Sequence, residues 1–125
     1  MPCHYVLVRS YRSLVAWQKA HAVAGAVLKL TASSRSPSTW AVFDQLRRAA
    51  ISVEANIVEG YALGTAGLFR RHVRIALGSA AEVECLLRLA VEQGLLSRKK
   101  VASVTADLDR LFRVLRGLML GRSPK

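Results

Sequence analysis

Cysteine, proline, aromatic residues and acidic residues are all scarce in this 125-residue chain. Its two cysteines, Cys3 and Cys85, cannot build a disulfide framework and lack metal-ligand spacing, so a reducing, cytoplasmic setting is expected. Proline occurs only at positions 2, 37 and 124, so nothing interrupts a helix between Ser38 and Ser123. Strand-like alternation and hairpin dipeptides are missing, which argues against a sheet. Aromatics make up 6% of the chain, and no aromatic RNA-binding strand motif, zinc finger or helix-turn-helix spacing is visible. Charges break every apolar run before the ~18 residues that a membrane span needs. Met1 to Val8 has neither a basic head nor a small-residue cleavage site, so no signal peptide is expected.

What is present is apolar and basic. Apolar residues reach 52%, and 19 Lys and Arg outnumber eight Asp and Glu, for a net charge of +11. The length fits one domain over residues 1–125. Hydrophobic periodicity and stop signals divide it into a tail over 1–11 and helices at about 14–31, 40–61, 66–93 and 98–120. Ser13 is the expected N-cap of helix 1, whose stripe runs Leu14, Trp17, His21, Ala24, Leu28. Ser33 to Ser38 reads as a polar loop. Helix 2 carries Phe43, Leu46, Ala50, Val53 and Ile57 on one face. Helix 3 carries Phe69, His72, Ala76, Ser79, Val83, Leu86 and Ala90, with Gly94 ending it. Ser97 caps helix 4, whose seam is Val101, Val104, Leu108, Leu111, Leu115 and Leu118. The fold class is all-α, an antiparallel up-down-up-down four-helix bundle.

Helices 1 and 2 are apolar on more than one side. Val15, Val23, Val27 and Leu30 lie roughly opposite the helix 1 stripe, and Ile51, Ala55 and Val58 flank that of helix 2. Four helices cannot cover these faces alone, so the seven residues are assigned to a homo-oligomer interface.

Charge concentrates in the outer helices. Residues 1–35 hold five basic residues and no acid, and residues 96–125 hold eight basic residues against Asp107 and Asp109. Lys99, Arg110, Arg113 and Arg116 share an arc of about 120° opposite the helix 4 seam. Arg98, Lys99 and Lys100 crowd the helix start, where the macrodipole already disfavours cations. With Arg12 and Lys19 of the first segment, these residues are the candidate nucleic-acid-binding set. The competing reading is a solvated face that maintains solubility. A membrane surface ranks lower, because the apolar side of helix 4 faces the bundle seam.

Gln45, Arg48, Ser52, Asn56 and Glu59 share an arc of about 80° on helix 2. In an antiparallel hairpin of helices 2 and 3, residues whose numbers sum to about 127 lie level. That places Gln45 and Arg48 near Glu82 and Ser79, and Glu59 near Arg70 and Arg71. Arg48–Glu82 is the expected ion pair. A catalytic constellation of Arg48, Glu59 and Glu82 is weighed against a structural network. The network is preferred, because no nucleophile–base pair or metal spacing accompanies it. His21 and His72 read as interior histidines and Cys85 as inert packing. No enzymatic activity, metal or cofactor is expected.

The run Gln45-Leu46-Arg47-Arg48-Ala49-Ala50-Ile51-Ser52 continuing through Ala55-Asn56-Ile57 to Glu59-Gly60 closely resembles the signature of the 23S rRNA intervening-sequence proteins. Leu14 to Ala20, and Phe69 with Ile75 to Glu82, resemble the opening and helix 3 motifs of the same family. The likeness covers about Tyr11 to Leu96. It implies a four-helix bundle assembled as a ring, with a homopentamer among relatives, and no attached enzymatic activity. It also implies kinship with accessory variability proteins of diversity-generating retroelements, which bind nucleic acid and a reverse transcriptase. Two partner classes besides the chain itself follow: nucleic acid, or a protein such as a reverse transcriptase or ribosomal component served by an adaptor. Glu54 stands where relatives usually carry proline, and Met1 to Ser10 has no clear counterpart.

Overall fold

A computed structural model describes residues 10–33 and 36–122. A short 3₁₀ turn, Ser10–Ser13, leads into α1 (Val15–Leu30), α2 (Pro37–Ala62), α3 (Ala66–Glu92) and α4 (Arg98–Met119), with no strand among the described residues. Residues 1–9, with Cys3, lie outside this description. The expected tail is shorter than 1–11, because Tyr11 packs against the core and meets Trp17 edge to face at 5.1 Å between ring centroids.

Local chemistry sets the helix ends. Ser13 does not cap α1; its hydroxyl donates to the Ser10 carbonyl, and Leu14 takes the cap position without a side-chain bond. Helix α2 starts three residues earlier than expected. Ser36 accepts from the Thr39 amide, and Pro37 fills the first helical position, where a missing N–H costs nothing. Thr65 and Ser97 cap α3 and α4 in the same way. Gly64 and Gly94 adopt φ of +80° and +73°, the left-handed turn that ends α2 and α3. None of the helices in the described residues is long and apolar enough to cross a membrane.

Among the described residues each helix packs on its chain neighbours, and α4 also packs on α1. The α2–α3 hairpin is the most extensive contact. Its antiparallel register is written in side-chain bonds: Gln45 to Glu82, Ser52 to Ser79 and Asn56 to His72. Those pairs sum to 127, 131 and 128, close to the level expected from the sequence. Gly60 makes this approach close. A Cβ there would lie 2.7 Å from the His72 Cβ and 3.3 Å from the Phe69 Cα.

The core follows α2 and α4 as read: Phe43, Leu46, Ala50, Val53 and Ile57 are buried, and so is the complete valine–leucine seam of α4. Helix α1 differs. It buries Ala16, Ala20, Val23, Ala24 and Val27, a face rotated roughly 95° from the expected stripe at ~100° per residue. Leu28 is exposed, and the His21 side chain is 62% exposed. Val23 and Val27, assigned from sequence to an interface, are therefore fully buried in the core of the chain itself. Alanine and valine let neighbouring helix backbones approach, whereas Trp17 and His21 stack on each other at the edge, 4.6 Å apart. On α3 the buried row is Val73, Ala76, Ala80, Val83, Leu87 and Ala90. His72, Ser79, Phe69 and Leu86 are half-buried, and Cys85 is an exposed free thiol rather than packing.

Candidate functional site

Two polar regions stand apart from the core. The first is the ladder between α2 and α3. Gln45 donates to Glu82 at 2.6 Å, the Ser52 and Ser79 hydroxyls meet at 2.9 Å, and Asn56 donates to the Ser52 carbonyl at 2.9 Å. The Asn56 carbonyl oxygen lies 3.0 Å from His72 Nδ1, and a Glu59 oxygen lies 3.8 Å from the same nitrogen. Gln45, Ser52, Asn56, Glu59, Ser79 and Glu82 are thus brought to one seam. Arg48 is not: it points along its own helix to Asp44 at 3.0 Å. A residue one turn away offers a shorter reach than the neighbouring helix, and Gln45 already occupies Glu82.

The ladder occupies the packed contact between two helices. Each half-buried hydroxyl and amide in it is satisfied by a neighbour, which fixes register. No three His, Cys, Asp or Glu side chains among the described residues come together to hold a metal ion.

The second region is the basic surface. Arg98, Lys99, Lys100, Arg110, Arg113, Arg116 and Arg12 are exposed, and Lys19 is half-buried. Lys19 and Arg110, from different helices, meet in a groove between α1 and α4 that Val15, Gln18, Ala22 and Asp107 also line. Arg110 is partly compensated there by Asp107 at 3.0 Å. Arg113 and Arg116 make no ion pair among the described residues, so α4 presents its free charge chiefly at these two positions and at its start. Arg88 contrasts with them: Glu84 bonds it at 2.7 Å, and that hydrogen bond raises its pKa further above the ordinary guanidinium value.

Of the remaining interface candidates, Val15 and Ile51 are exposed, whereas Leu30, Ala55 and Val58 are half-buried. Exposed apolar residues also occur where sequence reading did not look, at Trp40, Leu63, Leu68, Ile75 and Leu89.

Two contacts, and the joining of Arg74 to the expected Arg70 and Arg71, were not read from the sequence. Arg47 donates to the Thr31 carbonyl at 2.6 Å and so binds the C-terminal end of α1, where the helix presents partial negative charge. Glu54, in the place where proline was expected, reaches His21 on α1 at 2.8 Å. Arg70, Arg71 and Arg74 are exposed together on α3. Only the last group left a signal in the sequence, as basic residues spaced three and four apart.

A family model described as 23S rRNA-intervening sequence protein matches residues 12–117. No curated protein matches the chain.

Proposed function

We propose that this chain, which belongs to the 23S rRNA-intervening sequence protein family, is a non-enzymatic, homo-oligomeric protein that binds RNA or DNA through phosphate contacts. The observation that carries the reading is the division of α4. One side is wholly consumed by the core seam, and the other displays arginines without internal partners. Such a face attracts polyanions with little regard to sequence, because phosphate contacts carry no base information. In this reading the four helices run up-down-up-down, and the exposed Val15 and Ile51 meet neighbouring subunits. A ring, with a pentamer as the first candidate, comes from the family resemblance. The protein works in the cytoplasm, where the exposed thiol of Cys85 stays reduced.

The test is a salt series of binding to a labelled DNA duplex. Wild-type affinity should fall steeply and log-linearly with salt. R113E/R116E should weaken binding and make the slope shallower by about 2, at about 0.9 per phosphate. Unchanged binding in that variant refutes the α4 assignment. A nuclease-resistant pull-down without affinity for purified nucleic acid supports the adaptor role instead. A native mass equal to one chain refutes the oligomer.

A further inference from the structure

Helix α3 carries a second basic surface that the α4 face does not include. Arg70, Arg71 and Arg74 are all exposed, and with Gly67 and Ile75 they line an open, shallow depression. Separations of three and four residues align Arg71 and Arg70 with Arg74 on one side of the helix. Three other arginines on exposed helix faces have a local acid, Arg48 with Asp44, Arg88 with Glu84 and Arg110 with Asp107, whereas Arg113 and Arg116 have none among the described residues. None of the three α3 arginines makes an ion pair or a side-chain hydrogen bond among the described residues. Glu59, the acid that the hairpin register brings to this level, approaches His72 instead. Glu82, further along α3, is bonded by Gln45.

The cluster is therefore uncompensated, and its position sharpens that. It occupies the second and third turns of α3, and the first turn contains no acid. Like charges at these spacings disfavour the helix. The fold does not use these side chains, since α3 packs through Val73, Ala76 and Ala80. At Gly67 a Cβ would meet nothing within 4 Å, so the depression is open to an approaching ligand.

We propose that Arg70, Arg71 and Arg74 form a phosphate-binding site for a nucleic-acid backbone, additional to the α4 face. The proposal rests on the nucleic-acid reading above and deepens it. Charge complementarity names the occupant. Three guanidinium forks present paired N–H donors that match phosphate oxygens two at a time, a geometry that lysine does not reproduce. Ile75, 46% exposed at the rim, offers an apolar contact to a sugar face. In the up-down-up-down course, the short turn between α3 and α4 brings Arg113 and Arg116 toward the same end of the bundle. The two surfaces then extend one phosphate track across adjacent helices.

The experiment is anisotropy of a labelled DNA duplex over a salt series with four proteins: wild type, R70S/R71S/R74S, R70K/R71K/R74K and R113E/R116E. Circular dichroism checks the fold of each. The serine variant should bind at least about tenfold more weakly, with a slope shallower by about 2.7, corresponding to three lost phosphates. The lysine variant keeps its charge and should retain most of the slope while losing affinity. Wild-type affinity and slope in both α3 variants overturn this site and leave the α4 reading standing, provided R113E/R116E is impaired. A wild-type protein that does not bind the duplex overturns both. Loss of binding to a polyglutamate probe alone, with duplex binding intact, assigns the arginines to an acidic protein and also overturns the proposal.

Discussion

Replacing Gly60 with alanine tests how closely α2 and α3 are required to approach. The new methyl would sit 2.7 Å from the His72 Cβ and 3.3 Å from both the His72 Cγ and the Phe69 Cα. Two of these atoms belong to the backbone or are fixed directly to it, so no rotamer change relieves the contact. Alanine gains about 0.8–1.0 kcal/mol over glycine in a helix interior. Overpacking costs about 1–3 kcal/mol, and the rigidity of the opposing atoms puts this site toward the upper end. A net loss of about 1–2 kcal/mol follows. Urea denaturation monitored by circular dichroism, at one fixed protein concentration, should show a lower midpoint with an unchanged slope. Gly78 is the control: it is exposed within α3, and a Cβ there meets nothing within 4 Å. Gly78→Ala should raise stability by up to about 1 kcal/mol. The two substitutions are chemically identical and should differ in sign. Equal stabilisation by both would refute the claim that the hairpin is held at its closest approach by Gly60.

Two further predictions concern polar contacts that tie helices together. Arg47→Met should cost about 1–3 kcal/mol, because the Thr31 carbonyl of a fully buried residue loses its charged donor; denaturation with no loss of stability would show that water replaces the guanidinium at no cost. A double-mutant cycle of Ser52→Ala and Ser79→Ala should give a coupling energy of about 0.5–1.5 kcal/mol, the net value of one hydrogen bond. Strict additivity of the two substitutions would remove the ladder's role in fixing register.

Legibility in the sequence varied with how unambiguous each helix pattern was. Helix α4 has one dominant apolar stripe with its charges on the other sides, so all six seam residues were found and all six are buried. The α2 face, Phe43 to Ile57, was also found, although Ile51, Ala55 and Val58 add a second apolar flank to that helix. The α2–α3 register followed from a short connection, since a tight turn leaves an antiparallel pair little freedom to slide. Helix α1 was misread because apolar residues surround it, and a periodicity with several solutions selects none. The basic set on α4 could be placed on one face from spacing alone. The partners of Arg47, Arg48 and Glu54 could not, because a long side chain reaches several candidates and the choice depends on where the next helix lies.

The sequence by itself determined four helices, their order, the Ser97 cap of α4, and a charge excess divided between the chain ends. Those properties are local: a cap or a stripe needs only a turn or two of neighbours. Only the tertiary structure decided which side of α1 is core, which acids neutralise which arginines, and which arginines stay free. These depend on contacts between residues tens of positions apart. Burial of Val23 and Val27 was decided by the space that α2 and α4 leave beside α1. The isolation of Arg70, Arg71 and Arg74 was decided by Glu59 approaching His72.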